Sequence, residues 1–415
     1  MRTGVARPAG EPDTARIAPP GTDWARLGDT VLYWADDGAP WDAVRDRARS
    51  GGVPLEEGDA PGPAADATLV TQVGRVFQRE HPDVPVLVDK GRYLVVALGE
   101  EHRARIRPRE REEVCYRVEP LRPGTVVFRG VTPVAREPAP DVQALADAVS
   151  ADAYRDVLTE LVGFGTRHSL SEGFREAAAA AADRLRALGY VVTVAPIDVG
   201  SGRSANVVAE RVAPHRSPRG VVVVTAHLDS INLAGGPAAP APGADDNGSG
   251  AAGLLEIARV LAAVRTRHDL RLILFGGEEE GLFGSTQYVT SLDPAARLDI
   301  AAVVNMDMIA SVNTPEPTVL LEGAEVSQGL IDELATAAAT YTSLKVQTSL
   351  RPFNSDHVPF IDASIPAVLT IEGADSANQN VHTAGDTLDG VDEDLAHGIV
   401  RMNVATAATA LLADA

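Results

Sequence analysis

The 415-residue chain contains a single cysteine, Cys115, so no disulfide can form within it. Its opening residues, "MRTGVARPAGEPDTARIAPPG", hold no apolar run of the length a secretory signal needs. No stretch of 18 or more apolar residues occurs anywhere, which excludes a simple membrane-spanning helix. Together these absences lead to the expectation of a cytoplasmic protein, secreted only if the N-terminus was trimmed. Positive charge is scarce: 37 Lys and Arg face 58 Asp and Glu, a formal net charge of −21. Such a surface repels polyanions, so neither nucleic acid nor an anionic membrane is an expected partner.

With 45% hydrophobic residues the chain can bury a full core, and its length suits two domains. Residues 1–22 read as a flexible Pro/Gly/Ala-rich lead. From 23 to 135 short β-branched and aromatic runs predominate, among them "TVLYWA" (30–35), "ATLVTQV" (67–73) and "RYLVVAL" (92–98), with "VDKGRY" as a hairpin signal. This predicts an accessory β-rich α+β domain. A strand, a charged helix and a second strand at 30–57 recur in the same order at 92–121, and residues 99–113 read as a solvated charged segment. "REPAPD" (136–141) reads as a linker to a second domain over 142–415.

That second domain alternates helices with uniformly apolar strands, the pattern of a mostly parallel mixed sheet with helices on both faces. One helix is expected over 142–164 and another over 171–190, capped by Ser171 and stopped by Gly189. Function in such sheets gathers at the carboxyl ends of strands. There "VVVVTAHLD" ends in His227 and Asp229, "LILFGGEEE" in Glu278, Glu279 and Glu280, and "AAVVNMD" in Asp307. "PAVLTIEG" leads toward His382, and "PGADDNGSG" supplies Asp245 and Asp246 before a helix start. Carboxylates and imidazoles that converge in an acidic protein require a cation. Histidine with Asp and Glu, and no cysteine, suits zinc or a similar divalent ion. Two histidines with at least three carboxylates exceed one open tetrahedral site and suit two metals sharing a carboxylate.

The ordered stretches "AHLDS", "PGADDNGSGAAGLLE", "GEEEGLFGS", "NMDMI", "NSDHVPF" and "VHTAGDT" resemble the co-catalytic di-zinc aminopeptidases of the bacterial leucyl aminopeptidase type, over roughly residues 142–415. The resemblance implies two Zn2+ per chain, one held by His227 and Asp307, the other by Glu279 and His382, with Asp245 bridging both. It implies Glu278 as general base, Asp229 as the group orienting His227, Glu280 facing solvent, and a cis peptide between Asp245 and Asp246. Met308, Phe353, Leu369, Ile371 and Val381 would line the cavity for the first side chain of a substrate, favouring a hydrophobic N-terminal residue of a short peptide or small amide. Where the best-known members place a tyrosine near the substrate carbonyl, this chain has Val381 and Pro352, so the carbonyl would be met by His357, by a backbone group or by the zinc ions alone. Hydrolysis of an amide in a small acylated amino acid or biosynthetic intermediate, acyl transfer of the glutaminyl-cyclase type at a single zinc, and a non-catalytic scaffold are the competing readings.

Overall fold

The computed structural model describes residues 1–8, 18–36, 41–106, 115–214 and 220–413. They form two compact units. The first comprises Met1–Gly130 with two short later segments, Gln347–Ser349 and Ala374–Gln379; the second comprises Val131–Val346, Leu350–Gly373 and Asn380–Ala415.

In the first unit, β1 (Arg2–Ala6), β2 (Asp23–Leu27), β3 (Thr30–Ala35) and β4 (Leu55–Asp59) lie in the order β2-β3-β1-β4, every neighbouring pair antiparallel. The next four, β5 (Ala67–Gln72), β6 (Val86–Lys90), β7 (Tyr93–Ala97) and β8 (Tyr116–Pro120), repeat it as β6-β7-β5-β8, again antiparallel throughout. Each set has a helix between its third and fourth strands, Trp41–Ser50 and Glu100–Arg105. With Val76–Glu80 between β5 and β6, the second set has the βαββαβ order of a ferredoxin-like motif. The recurrence at 30–57 and 92–121 is thus the latter half of a larger topological repeat. Val31, Tyr33 and Ala35 alternate along β3 onto Trp41 and Val44, and Leu94 and Val96 of β7 pack with Phe77 and Tyr116. A further strand, β9 (Thr125–Val131), runs parallel to β2.

Two expectations for this region need correction. Residues 2–6 are not part of a flexible lead but a strand paired on both sides; their small and polar composition hides it. The unit also takes in segments 347–349 and 374–379, which linear reading assigns to the second domain. Residues 9–17 of the expected lead and 107–113 of the charged segment lie outside the described residues.

The second unit is built on β10 (Val191–Val199), β11 (Gly202–Arg211), β12 (Val221–His227), β13 (Asp269–Phe275), β14 (Ile300–Met306), β15 (Thr318–Glu322) and β17 (Ala367–Glu372); of β16 (Lys345–Ser349) only the first two residues belong to it. The order β10-β11-β13-β12-β14-β17-β15 holds four mutually parallel strands, β13, β12, β14 and β17, at its centre, with antiparallel partners on either side. Val222, Val224 and Ala226 enter the core on one face, and Val221 and Val223 enter that on the other, so β12 is apolar on both faces up to Thr225 and His227 near its end. The predicted helix at 142–164 is two helices, Pro140–Asp147 and Ala151–Gly163. Ser150 breaks the run because its side chain caps the second, accepting from Ala153 N at 3.2 Å. Helix Glu393–Leu412 is long and apolar enough to cross a membrane by composition, but its apolar residues, Leu395, Ile399, Val400 and Val404 among them, belong to the core.

Arg167 lies in the loop after helix Ala151–Gly163 and is completely buried. Its guanidinium donates to the carbonyls of Leu228 (2.8 Å), Leu161 (3.1 Å), Pro242 (2.6 Å) and Gly243 (2.8 Å). Burial pulls its pKa down to about 10, still charged at neutral pH. It therefore ties the end of β12 to the loop that begins at Pro242. Replacing it leaves several carbonyls buried without a donor, at about 1–3 kcal/mol each. Arg167→Leu is expected to lower stability by roughly 3 kcal/mol or more, read as a shift in the urea midpoint; a shift below about 1 kcal/mol would show that the loop does not depend on it.

Candidate metal centre

Three strand ends and two loops bring the site together. His227 is the last residue of β12, paired across the sheet with Phe275 of β13, while Ala226 pairs with Met306 of β14. One residue past β14 is therefore Asp307, level with His227. Its Oδ1 lies 3.1 Å from His227 Nε2, and its Oδ2 accepts from Ser355 Oγ at 2.7 Å. Past β13 the chain turns through Gly276 and Gly277. At Gly277, φ is +70°, and a Cβ would meet Val199 at 2.8 Å, so the turn needs glycine on both counts. The turn delivers Glu278 and Glu279.

The loop before helix Gly250–Leu261 supplies the central carboxylate, and it belongs to Asp246. Asp246 Oδ1 is 3.3 Å from His227 Nε2, and Oδ2 is 3.1 Å from His382 Nε2. Glu279 Oε2 stands 2.9 Å from the same His382 nitrogen. Asp245, expected to bridge, points elsewhere: its Oδ1 accepts from Ala310 N at 3.0 Å. The reason is local. Asp386 accepts from the backbone N–H groups of both Asp245 and Asp246 (2.9 and 3.0 Å), and Asn247 donates to Met306 O (2.9 Å) while accepting from Gly250 N (2.8 Å). With the loop pinned on both sides, the second carboxylate faces the imidazoles. The cis peptide is likewise one position later than expected, between Asp246 and Asn247.

Asp229 is fully buried, with its backbone carbonyl 3.2 Å and its Oδ1 3.6 Å from His227 Nδ1. Its other oxygen accepts from Glu279 N and Ser169 Oγ, both at 3.1 Å, so one carboxylate fixes a histidine and the adjacent glutamate loop. Glu278 is buried, and its carboxylate groups with His227 and Asp307; Asp246 and Glu279 group with His227 on the other side. Within each group the candidate ligand atoms lie within 4.8 Å of one another, and the nitrogen and oxygen donors suit zinc. Glu280 does not face solvent as expected. It is mostly buried, with Oε1 3.1 Å from His168 Nδ1, and burial pushes its pKa up to about 9.

Burial raises the Glu278 carboxyl well above its ordinary range, and the negative charges of Asp307, Asp356 and Glu279 add to the rise. Glu279 is pushed to about 7, first by burial and then by Asp246. Asp246 is held below its usual value despite burial, because both histidines bond to it. Burial opposes charge on His227 and His382, yet the surrounding carboxylates hold both imidazoles well above their ordinary pKa. A dense, enclosed acid cluster thus draws in protons wherever a stronger cation is missing.

Met308 follows Asp307 directly, and Val381 precedes His382; both are buried. Leu369 and Ile371 share one face of β17, while Phe353 is held by its backbone N–H donating to Glu322 (2.9 Å). His357 is fully buried at the start of a short helix, its Nε2 3.5 Å from Glu322 Oε1. Sequence reasoning missed the work of Ser169, Ser355, Asp356 and Asp386. Asp386 stands in the quoted "VHTAGDT" and was within reach; Ser169 lies in a polar loop with nothing to mark it.

Residues 206–407 match the sequence profile of Peptidase family M28. The chain is 32% identical to Aminopeptidase YwaD of Bacillus subtilis (strain 168) over 178 residues, 42% of this chain and 37% of that protein. A probable zinc metalloprotease of Pyrenophora teres f. teres (strain 0-1) is 27% identical over 343 residues, covering 67% of this chain and 70% of its own length. Among solved structures, the aminopeptidase from Aneurinibacillus sp. strain AM-1 shares the fold, with a TM-score of 0.56 at 17% identity over 65% of this chain and 96% of its own. The match to YwaD thus spans little more than a third of that relative.

The charge balance sets a pH dependence for the metal-free protein. Raised histidines stabilise the fold fully below about pH 6.5, their unfolded value, and that contribution is lost as pH rises through their folded values. Raised carboxyls act with the same sign. Between about pH 4, where the unfolded chain ionises, and their folded values of about 7 for Glu279 and about 8 for Asp386, the folded state holds extra protons. The lowered Asp246 matters only in strong acid. The thermal midpoint of chelator-treated protein is expected to fall from about pH 6.5 to about pH 9. A midpoint that rises over that interval would contradict the charge assignment.

Proposed function

We propose that this chain, whose residues 206–407 match the sequence profile of Peptidase family M28, is a zinc-dependent aminopeptidase that works with two metal ions. The observation that carries this reading is the Asp246 carboxylate, with one oxygen 3.3 Å from His227 and the other 3.1 Å from His382. His227 and Asp307 would hold one ion, His382 and Glu279 the other, and Asp246 would touch both. Zinc in such a pair lowers the pKa of a water and polarises the scissile carbonyl.

Glu278 takes the proton from the attacking water and delivers it to the leaving amine. Its enclosure favours this, because a base in a dry site is matched to its task by its surroundings. Asp229 keeps His227 in one orientation and one tautomer. The free α-amine of a peptide is a cation, and the acidic cluster is its natural counter-charge, which favours removal of single N-terminal residues. Met308, Phe353, Leu369, Ile371 and Val381 are all apolar and enclosed, which supports a hydrophobic first residue. A single-zinc acyl transferase would need only one of the two histidine–carboxylate groups. The presence of both favours the two-metal hydrolase.

Glu278→Gln is expected to cut turnover by about 10² or more while leaving metal content unchanged. Assay of a leucyl anilide alongside elemental analysis reads both quantities; loss of metal in this variant would make Glu278 a ligand instead of a base. Asp246→Ala and Asp245→Ala separate the two neighbouring carboxylates. The first should lose bound zinc, and the second should retain it, since Asp245 serves the Ala310 backbone. The opposite pattern would return the bridging role to Asp245.

A further inference from the structure

Unlike His227 at the end of β12, His382 belongs to neither a strand nor a helix. It sits in a loop well past β17, with φ at +60°, a left-handed conformation that a non-glycine residue keeps only where its surroundings impose it. Its carbonyl accepts from Leu233 N at 3.1 Å. The stem of that loop, Ala374–Gln379, belongs to the first unit.

The grip is specific. β6 and β7 pair from Lys90 to Tyr93, leaving Gly91 and Arg92 as the hairpin tip. Gly91 has φ +70°, and a Cβ there would meet Ala374 O at 2.8 Å and Ala377 N at 3.0 Å, so the stem lies directly on the tip. Arg92 Nη1 reaches Asp375 Oδ2 at 3.4 Å, with both side chains almost wholly buried. Ser376 Oγ is 2.9 Å from Gln72 O and 2.9 Å from Asp375 Oδ2. Gln72 in turn supports the tip by donating twice, N to Arg92 O (2.8 Å) and Nε2 to Gly91 O (3.0 Å).

We infer that the Gly91–Arg92 hairpin tip is a positioning device for the metal centre: through the buried Arg92–Asp375 pair it clamps the stem of the loop that presents His382. The inference rests on the reading of His382 as a metal ligand. A buried ion pair contributes little as a bulk stabiliser, because its desolvation offsets its attraction, but it fixes one geometry, and breaking it leaves an uncompensated charge. Arg92 and Asp375 are not among the candidate ligands; they act through the backbone that runs from Gln379 to His382.

Zinc affinity of the full chain, measured by competition with a chromophoric chelator, tests this without recourse to activity. His382→Ala identifies the ion that depends on this histidine. Arg92→Met and Asp375→Asn are each expected to weaken that same ion by about 10-fold or more, the scale of lost support behind a ligand. The double variant should be no weaker than the poorer single one, and Arg92→Lys should recover most of the loss. The ion that depends on His227 and Asp307 should change far less, which separates positioning from general destabilisation. If Arg92→Met does not fold by near-ultraviolet circular dichroism, Ser376→Ala replaces it, with an expected loss of about threefold from one missing hydrogen bond. Unchanged zinc constants in the folded variants, or equal losses at both ions, would overturn the inference. Unchanged constants in His382→Ala would instead overturn the reading of His382 as a ligand.

Discussion

The Asp246 carboxylate, enclosed between two imidazoles, is the constraint from which the rest of the site follows. A buried carboxylate is costly unless positive charge meets it, and Asp246 stands with Asp307, Glu278 and Glu279 in the same enclosed space. Two histidines can answer only part of that negative charge. The raised pKa values of Glu278 and Glu279 express the remainder. A pair of divalent cations would resolve it, and the loop around Asp246 keeps the carboxylate in place, with Asp386 on one side and Asn247 on the other.

The sheet makes this convergence possible. Parallel strands end on the same side, so His227, the Glu278–Glu279 turn and Asp307 meet although they are far apart in sequence. Supporting groups then act in chains. Ser169 donates to Asp229, which accepts from the Glu279 backbone and faces His227; Ser355 holds Asp307. Arg167 fastens the end of β12 to the Pro242–Gly243 backbone, upstream of Asp246. Rigidity at the site is therefore drawn from loops bound to one another as much as from the strands.

Much of this was legible in the residues. The continuous apolar runs of β12, β13, β14 and β17 announce doubly covered parallel strands, and the residues at their ends announce a cation. Choosing between Asp245 and Asp246 was beyond reach, because two adjacent aspartates are chemically identical in a sequence and only the loop's hydrogen bonds decide which one faces inward. Strand β1, "RTGVA", carries almost no apolar alternation and was invisible for that reason. The break at Ser150 was masked by the helical texture on both sides of it. Least legible was the sharing of segment 374–379 with the first unit, since no local pattern marks a loop stem that folds with a partner hundreds of residues away.

Crystals grown with zinc and measured at the zinc absorption edge would test the central claim most directly. The account predicts two anomalous peaks, one beside His227 and Asp307 and one beside His382 and Glu279, with the two oxygens of Asp246 each facing one peak. A single peak, or a pair bridged by Asp245, would contradict it.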